Sequence, residues 1–165
     1  MEGRQEKGVS SRRDFLRAAA AASTAGLVAH RAAAQASDAP AGANERLGVG
    51  VIGCGGRGRA HLGVLEKLKQ GGANIEIVAV CDIYRPRLQA AADAHHAKAY
   101  SDHHELLADP NVDVVCIATP DHHHGYAAID AVHADKDVYC EKPVTHWRQF
   151  ELTKQLNEEV KKSDR

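Results

Sequence analysis

The chain has 165 residues, of which 44% are hydrophobic and 26% are charged, close to the average of a soluble globular domain. Its 21 basic residues nearly balance its 22 acidic residues, so the net charge is −1. This composition excludes a wholly disordered, collagen-like or multi-span membrane protein, and it provides no general attraction to nucleic acid or anionic lipid. Aromatic residues make up only 4%, so a core must be built from aliphatic side chains.

Residues 1–36 have the layout of an export signal. Arg12-Arg13 and Phe15-Leu16 lead into an Ala-rich, uncharged run at 18–29, and the small-residue site Ala34-Gln35-Ala36 follows. A basic region, a short apolar region and an A-x-A cleavage site in this order are typical of secretory signals. An Ala-rich amphipathic or disordered arm is the alternative interpretation.

The paired arginines followed by Phe-Leu resemble the twin-arginine signal, although Arg17 stands where that signal often has Lys. The resemblance implies that the twin-arginine export machinery carries the folded protein to the periplasm. The apolar run at 18–29 is shorter than the about 20 residues that a membrane span needs, so no stable membrane span is predicted. Residues 37–46 are predicted to be a flexible linker, because they include Pro40 and Gly42.

From residue 47 to residue 165, short apolar runs alternate with stretches typical of helices. Continuous β-branched runs suit strands that are buried on both faces of a parallel sheet. The alternation predicts right-handed βαβ units, and therefore an α/β fold with a doubly wound, five-stranded parallel sheet of the Rossmann type. The predicted strands are 49–52, 75–81, 98–100, 112–118 and 138–140, and the predicted helices are 56–70, 85–95, about 102–108, 121–133 and 145–162.

A glycine-rich motif follows the first predicted strand. Residues 53–58 read G-C-G-G-R-G, which matches G-x-G-x-x-G with Gly53, Gly55 and Gly58 in register. A strand leads into the motif, a helix follows it, and Asp82 closes the second strand near the expected spacing of ~20 residues. This context predicts a dinucleotide-binding loop that also includes Gly56. A purely structural glycine turn, with Asp82 capping a helix, is the alternative.

Each residue has a physical role in the predicted loop. Gly53 allows a tight turn, Gly55 lets the backbone approach the pyrophosphate, and Gly58 lets the helix pack closely on the strand. The helix amino terminus offers unpaired N–H groups to the phosphates. Asp82 can accept hydrogen bonds from the adenosine ribose and would repel a 2′-phosphate, so NAD is predicted over NADP. Arg85 is close enough in sequence to weaken that repulsion.

Two further polar segments follow predicted strands. Residues 119–124 read T-P-D-H-H-H after the fourth strand, and residues 141–143 read E-K-P after the fifth. Ligands of open α/β sheets bind outside the carboxyl ends of the strands, so both segments are predicted to lie at the same edge as the glycine motif.

With these motifs in this order, the stretch from about Leu47 to Arg165 resembles the Gfo/Idh/MocA family of sugar-type oxidoreductases. The shared features are the glycine loop, the acidic residue that closes the second strand, the T-P-D-H-x-H segment and the E-K-P triplet. The resemblance implies an N-terminal Rossmann domain for NAD or NADP and a C-terminal α/β domain for a small sugar-like substrate. It also implies that full-length relatives are homo-oligomers.

The resemblance implies roles for particular residues as well. Thr119, Pro120 and His124 would lie against the nicotinamide-ribose half of the cofactor. Glu141 and Lys142 would be the catalytic residues near the nicotinamide, with Lys142 contacting the reacting sugar hydroxyl.

Elementary chemistry supports the role of Lys142 independently. An ammonium group beside the reacting carbon can stabilise negative charge on the alcohol oxygen during hydride transfer. Pro143 would fix the chain just after the lysine and can adopt a cis peptide. A surface Glu-Lys ion pair before a proline that begins a helix is the alternative.

The histidines and cysteines predict no metal site. His95-His96, His103-His104 and His122 to His124 are adjacent in sequence, and adjacent helical positions point in different directions. The sequence has no H-x-x-x-H or Cys/His zinc spacing. Most of these histidines are predicted to lie on the surface. The four cysteines, at 54, 81, 116 and 140, are predicted to be small buried thiols.

The sequence stops just after the fifth predicted helix, where a Rossmann domain would continue into a sixth strand and family members into the substrate domain. We therefore expect a truncated chain with an incomplete Rossmann domain at 47–165 and weak or no turnover on its own. Three functions stay open at this point. They are an exported NAD-dependent oxidoreductase acting on a sugar or cyclitol, an NAD-dependent glycosidase that oxidises, eliminates and reduces, and a non-catalytic NAD-binding remnant.

Overall fold

The computed structural model describes residues 46–163 and 165. The predicted export signal (1–36) and all but the last residue of the predicted linker (37–46) lie outside the described residues. Strands and helices alternate along the described chain. In order they are β1 (Leu47–Ile52), α1 (Gly56–Gln70), β2 (Ile75–Cys81), α2 (Arg85–His95), β3 (Lys98–Tyr100), α3 (His103–Leu107), β4 (Val114–Ile117), α4 (Asp121–His133), β5 (Asp137–Cys140) and α5 (Phe150–Lys162).

The five strands form one parallel sheet in the order β3-β2-β1-β4-β5. β1 pairs with both β2 and β4, so it is the central strand and the place where the strand order reverses. The predicted α/β fold, with five parallel strands, is confirmed. Within the described residues, none of the helices combines the length and the hydropathy that crossing a membrane requires.

Two apolar clusters cover opposite faces of the sheet. Successive strand residues point to opposite faces, so Val51 belongs to one cluster and its neighbour Ile52 to the other. Helices α1 and α2 complete the first cluster with Leu62, Leu88, Ala91 and Ala92. Helices α3, α4 and α5 complete the second with Leu106, Leu107, Ala127, Ala128, Ile129, Ala131, Leu152 and Leu156. The sheet is therefore doubly wound.

Gly50 in β1 makes room for a leucine of α3. A Cβ atom built on Gly50 would lie 2.8 Å from Cδ2 of Leu106, which is closer than carbon atoms pack. Leu106 is 0% exposed and belongs to the cluster that α3, α4 and α5 complete. The short helix α3 is thereby fixed against the central strand.

The prediction of a helix from Thr145 is wrong, because α5 begins at Phe150. Residues 145–149 form a turn in which the Gln149 N–H donates to the His146 carbonyl oxygen at 2.8 Å. The Gln149 side-chain oxygen accepts the His146 N–H at 3.0 Å, which closes the turn on itself. Trp147 lies in this turn and is 77% exposed.

The fourth strand also begins later than predicted, at Val114 rather than Val112. The carboxylate of Asp113 accepts the Gly48 N–H at 2.6 Å, and the Asp113 N–H donates to the Gly48 carbonyl oxygen at 2.8 Å. The Val112 N–H donates to the Asp109 carbonyl oxygen at 3.2 Å. These bonds close a loop over the start of β1, so the ladder between β1 and β4 starts two residues later than the apolar run.

Replacing Leu106 by Ala is expected to lower the free energy of unfolding by about 3 kcal/mol, because it leaves a cavity beside Gly50. Urea unfolding followed by far-UV circular dichroism measures the loss. Leu68→Ala is the matched control, since Leu68 is 51% exposed on α1 and its truncation is expected to cost ~0.5 kcal/mol or less. Equal losses for the two variants would contradict this packing.

Candidate functional site

Backbone hydrogen bonds beyond the strand ends hold three segments side by side at the carboxyl edge of the sheet. Each bond joins the first residue after one strand to the last residue of a neighbouring strand. They run from the Gly53 N–H to the Cys81 oxygen (2.7 Å), from the Ala118 N–H to the Ile52 oxygen (2.8 Å) and from the Glu141 N–H to the Ile117 oxygen (3.0 Å). The segments after β1, β4 and β5, which carry the predicted site residues, are therefore neighbours.

The glycine loop between β1 and α1 leaves no room for side chains at two positions. Gly53 has φ of +94°, and a Cβ on it would lie 2.7 Å from the Ala118 carbonyl oxygen. A Cβ on Gly58 would lie 1.8 Å from the Gly53 carbonyl oxygen. Both glycines are thus needed for the tight turn and for the close contact of α1 with the strand ends.

The amino end of α1 is open. Gly55 is its N-cap residue and provides no side-chain hydrogen bond, and the first turn contains no acidic residue. A Cβ built on Gly56 would meet no other described atom within 4 Å. The first N–H groups of the helix can therefore bind an anion, as they do in phosphate-binding loops.

Asp82 lies directly after β2 and faces this loop. Its Oδ2 accepts the Cys54 N–H at 2.8 Å, and its Oδ1 accepts the Tyr84 N–H at 2.8 Å. Each carboxylate oxygen has a second lone pair, so the group can still accept hydrogen bonds from hydroxyl groups. Because the Asp82 carboxylate is negatively charged, it disfavours a further anion, such as a ribose 2′-phosphate, close to its own oxygens.

Whereas the sequence pointed to Arg85, the structure places Arg87 beside the loop. Its Nη1 lies 3.6 Å from the position of a Cβ on Gly55, and its guanidinium group lies over the Tyr84 ring at 5.3 Å. Arg87 is five residues after Asp82 in the sequence. Helix α2 begins at Arg85, and its first turn places the Arg87 side chain near the glycine loop.

His124 joins the segments that follow β4 and β5. Its ring is buried, with Nδ1 2.7 Å from the Pro143 carbonyl oxygen and Nε2 2.7 Å from the Thr119 carbonyl oxygen. Carbonyl oxygens only accept hydrogen bonds, so both ring nitrogens must donate for the two bonds to form together. Pro120 precedes the helix as the N-cap residue of α4, and the Lys142–Pro143 peptide is cis.

Glu141 has two partners on α1 that the sequence analysis did not find. Nε and Nη2 of Arg57 both donate to Glu141 Oε1, the former at 3.0 Å, and His61 Nε2 lies 2.8 Å from the same oxygen. The Arg57 hydrogen bonds hold the pKa of the Glu141 carboxyl below its usual range. Arg57 and His61 are four residues apart, so they share one face of the helix, which was the available sequence signal.

Lys142 is exposed at this edge. Its side chain has no hydrogen-bond or ion-pair partner among residues 46–163, whereas the residues on both sides of it are anchored. An unpaired ammonium next to the strand ends is available to a ligand.

The cysteines are unreactive in this fold. All four are free thiols, three of them buried and Cys140 half-buried, in line with the predicted buried thiols. Burial raises the pKa of Cys54 to about 11 and that of Cys81 to about 12. The thiols therefore stay protonated at neutral pH.

The rings of one pair of adjacent histidines lie close together, although adjacent helical positions are expected to point in different directions. The rings of His103 and His104 lie 4.0 Å apart, and both approach the carboxylates of Asp102 and Asp130. One ligand atom each from Asp102, His103 and His104 lies within 4.8 Å of the others. The mutual hydrogen bonds of this group account for its arrangement.

The segments at the sheet edge fit a dinucleotide. The glycine loop gives a cradle that side chains would fill, and the amino end of α1 offers free N–H groups. Thr119 Oγ1 is buried without a hydrogen-bond partner among the described residues, which suits a ligand hydroxyl there. Together with the strand order, these features define a dinucleotide-binding domain of the Rossmann class.

The chain belongs to the Gfo/Idh/MocA family. Residues 47–165 match the family model for an oxidoreductase family with an NAD-binding Rossmann fold. The family resemblance inferred from the motifs is thus confirmed, and NAD, the predicted cofactor, is the one that this family's Rossmann fold binds.

Several known proteins are similar to it. The inositol 2-dehydrogenase of Salmonella typhimurium is 42% identical over 100 residues, which cover 59% of this chain and 29% of that protein. The structure of myo-inositol dehydrogenase from Lactobacillus casei with NAD(H) and myo-inositol has a TM-score of 0.64 at 32% identity, over 73% of this chain and 34% of that one. The WlbA dehydrogenase from Bordetella pertussis, in complex with NADH and UDP-GlcNAcA, has a TM-score of 0.64 at 31% identity, over 71% and 35%.

The chain spans only about a third of the length of these relatives. What they share with it is the Rossmann domain. Their substrates and activities belong to longer proteins.

Proposed function

We propose that this chain is the nucleotide-binding part of an NAD-dependent oxidoreductase that acts on a sugar or cyclitol by hydride transfer. The observation that carries the proposal is the joint position of the open glycine loop, Asp82 and the unpaired Lys142 at one edge of the sheet. Similarity to inositol dehydrogenases supports a cyclitol or a related sugar as the substrate. Self-association of the full-length protein stays a prediction.

Different residues of the site bind different parts of NAD. The first N–H groups of α1 bind the pyrophosphate, and Asp82 accepts hydrogen bonds from the adenosine ribose. The unpartnered Thr119 hydroxyl, beside Pro120, binds the nicotinamide ribose. His124 holds this segment against Pro143.

Lys142 supplies the electrostatic part of the chemistry. NAD held at this edge would supply the hydride acceptor for a substrate carbinol. The hydroxyl proton would pass to solvent, and negative charge would build up on the alcohol oxygen during the transfer. The Lys142 ammonium stabilises that charge, because it has no competing partner among the described residues. We assign the exclusion of water and the recognition of the substrate to the part of the longer relatives that this chain does not cover.

The 165-residue chain is expected to bind NAD more tightly than NADP by about tenfold or more, because the Asp82 carboxylate repels a 2′-phosphate. Isothermal titration calorimetry with each nucleotide measures the two dissociation constants. Asp82→Asn should narrow the difference, since it removes the charge and keeps the size. Tighter binding of NADP would overturn the preference, and no binding of either nucleotide would overturn the proposed function.

Lys142→Ala is expected to leave NAD affinity within about threefold and to reduce turnover at least about 100-fold in a protein that joins this domain to a substrate domain. NADH formation from myo-inositol, followed by absorbance, measures turnover. Unchanged turnover would contradict the role of Lys142. Release of an aglycone from a glycoside without net NADH would instead favour the glycosidase.

We also propose that the protein is exported to the periplasm through the twin-arginine machinery. The order of the basic, apolar and small-residue regions in residues 1–36 supports this proposal. Export of an already folded protein suits a domain with four free thiols, three of them buried.

The double substitution Arg12→Lys with Arg13→Lys is expected to abolish the periplasmic fraction of the tagged full chain in cell fractionation, because the paired arginines identify the signal. Arg17→Lys is the control and should leave export unchanged, since it keeps the pair. A periplasmic fraction that survives loss of the translocase would contradict the route.

A further inference from the structure

Glu141 is held by the helix that follows the glycine loop. Its Oε1 accepts from Nε of Arg57 at 3.0 Å and from Nη2 of the same residue, and it lies 2.8 Å from Nε2 of His61. Its side chain is only 9% exposed. Oε1 of this carboxylate is therefore occupied by partners within the protein, and Oε2 accepts the Lys142 N–H.

The partners make the position of Glu141 specific. Arg57 is permanently cationic and its planar group donates twice to one oxygen, a geometry that a flexible ammonium does not reproduce. The His61 side chain is 14% exposed, and its ring lies edge-to-face with that of Tyr139, with the two centroids 5.6 Å apart. His61 is therefore held in place as well. A carboxylate this enclosed is costly without its partners, which keeps Glu141 in place.

Lys142 lies between two anchored residues. On one side, Glu141 binds α1 through its side chain, bonds β4 through its N–H and accepts the Lys142 N–H on Oε2 at 3.3 Å. On the other side, the Pro143 carbonyl oxygen accepts from His124. The lysine side chain itself is free to meet a ligand.

The bond between Arg57 and Glu141 also connects Glu141 to the glycine loop. Arg57 occupies the position before Gly58 in the glycine motif and lies in the first turn of α1, whose N–H groups face the proposed pyrophosphate site. The Arg57 side chain is 66% exposed, yet its guanidinium group donates to Glu141. Two of the N–H donors of this arginine are therefore directed to Glu141.

We propose that Glu141 is a positioning residue which, through Arg57 and His61, couples the phosphate-binding loop to the backbone of the Lys142 segment and thereby supports the nicotinamide end of the site. The inference rests on the proposed NAD-binding function. It differs from the family-based role of Glu141 as a catalytic residue, because the carboxylate acts through its neighbours and touches no ligand.

Comparing the binding of two ligands distinguishes this coupling from a general loss of structure in the variants. NAD carries the nicotinamide, whereas ADP-ribose carries only the adenosine, pyrophosphate and second ribose. The binding of both to the 165-residue chain is measured by calorimetry for Arg57→Ala, Glu141→Gln and the double variant. Arg59→Ala is the matched control, since Arg59 lies on the same helix and has no side-chain hydrogen bond within the described chain.

The coupling predicts a selective and non-additive result. Each single variant should weaken NAD binding by about fivefold to tenfold and leave ADP-ribose binding within about twofold, and the double variant should match the single ones. Arg57→Lys should recover part of the loss, because it restores charge without the planar geometry. Lys142→Ala should not reproduce the loss, since the effect comes from the backbone of the segment.

Other outcomes overturn the inference. Additive losses, or equal losses for NAD and ADP-ribose, would mean that Arg57 serves the phosphates directly. An unchanged NAD affinity in the Arg57 variants would mean that the pair is only a surface ion pair. If Glu141→Gln fails to fold, Arg57→Ala and Arg57→Lys carry the same comparison, because the Arg57 side chain is largely exposed. Failure of the unsubstituted chain to bind either ligand would overturn the proposed function itself.

Discussion

Helix α1 can approach the sheet as closely as it does only because Gly58 has no side chain. A Cβ there would lie 1.8 Å from the Gly53 carbonyl oxygen, so any other residue would push the helix away from the loop. The close contact sets where the first turn of α1 points. It delivers the free N–H groups to the loop, places Leu62 in the core and turns Arg57 toward the end of β5.

Hydrogen bonds at the carboxyl edge of the sheet bring the candidate site residues together. Backbone hydrogen bonds continue past the ends of β1, β4 and β5, so the segments that follow them cannot separate without losing ladder-like bonds. Side chains then add the cross-links, with Asp82 on the glycine loop and His124 between the other two segments. Among the described residues at this edge, the exposed Lys142 ammonium is one of the few polar groups that these bonds leave without a partner.

Local patterns in the sequence predict most of the fold. Continuous β-branched runs and the glycine motif locate the five strands and the loop, because burial on both faces and the need for positive φ at Gly53 leave clear residue choices. The start of α5 was missed because one side chain, that of Gln149, closes a turn before it. The start of β4 was missed because Asp113 bonds to Gly48, far away in the sequence.

The sequence predicted where the candidate residues lie along the chain, but it did not predict the hydrogen bonds between them. Asp82 and Lys142 follow from motifs near strand ends. The bonds from Arg57 and His61 to Glu141 join residues about eighty positions apart and depend on the angle of α1, which no local pattern encodes. The approach of Arg87 to the glycine loop depends in the same way on how α2 begins.

The exposed turn after the E-K-P triplet has a practical consequence for spectroscopy. Trp147 is the sole tryptophan of the chain, and it lies in this turn, 77% exposed and five residues beyond Lys142. The indole is largely solvated already in the native state, with Cζ of Arg148 4.5 Å from its ring centroid and the centroid of the His146 ring 5.6 Å away. Intrinsic fluorescence will therefore report on the neighbourhood of the lysine while staying nearly blind to the melting of the two apolar clusters.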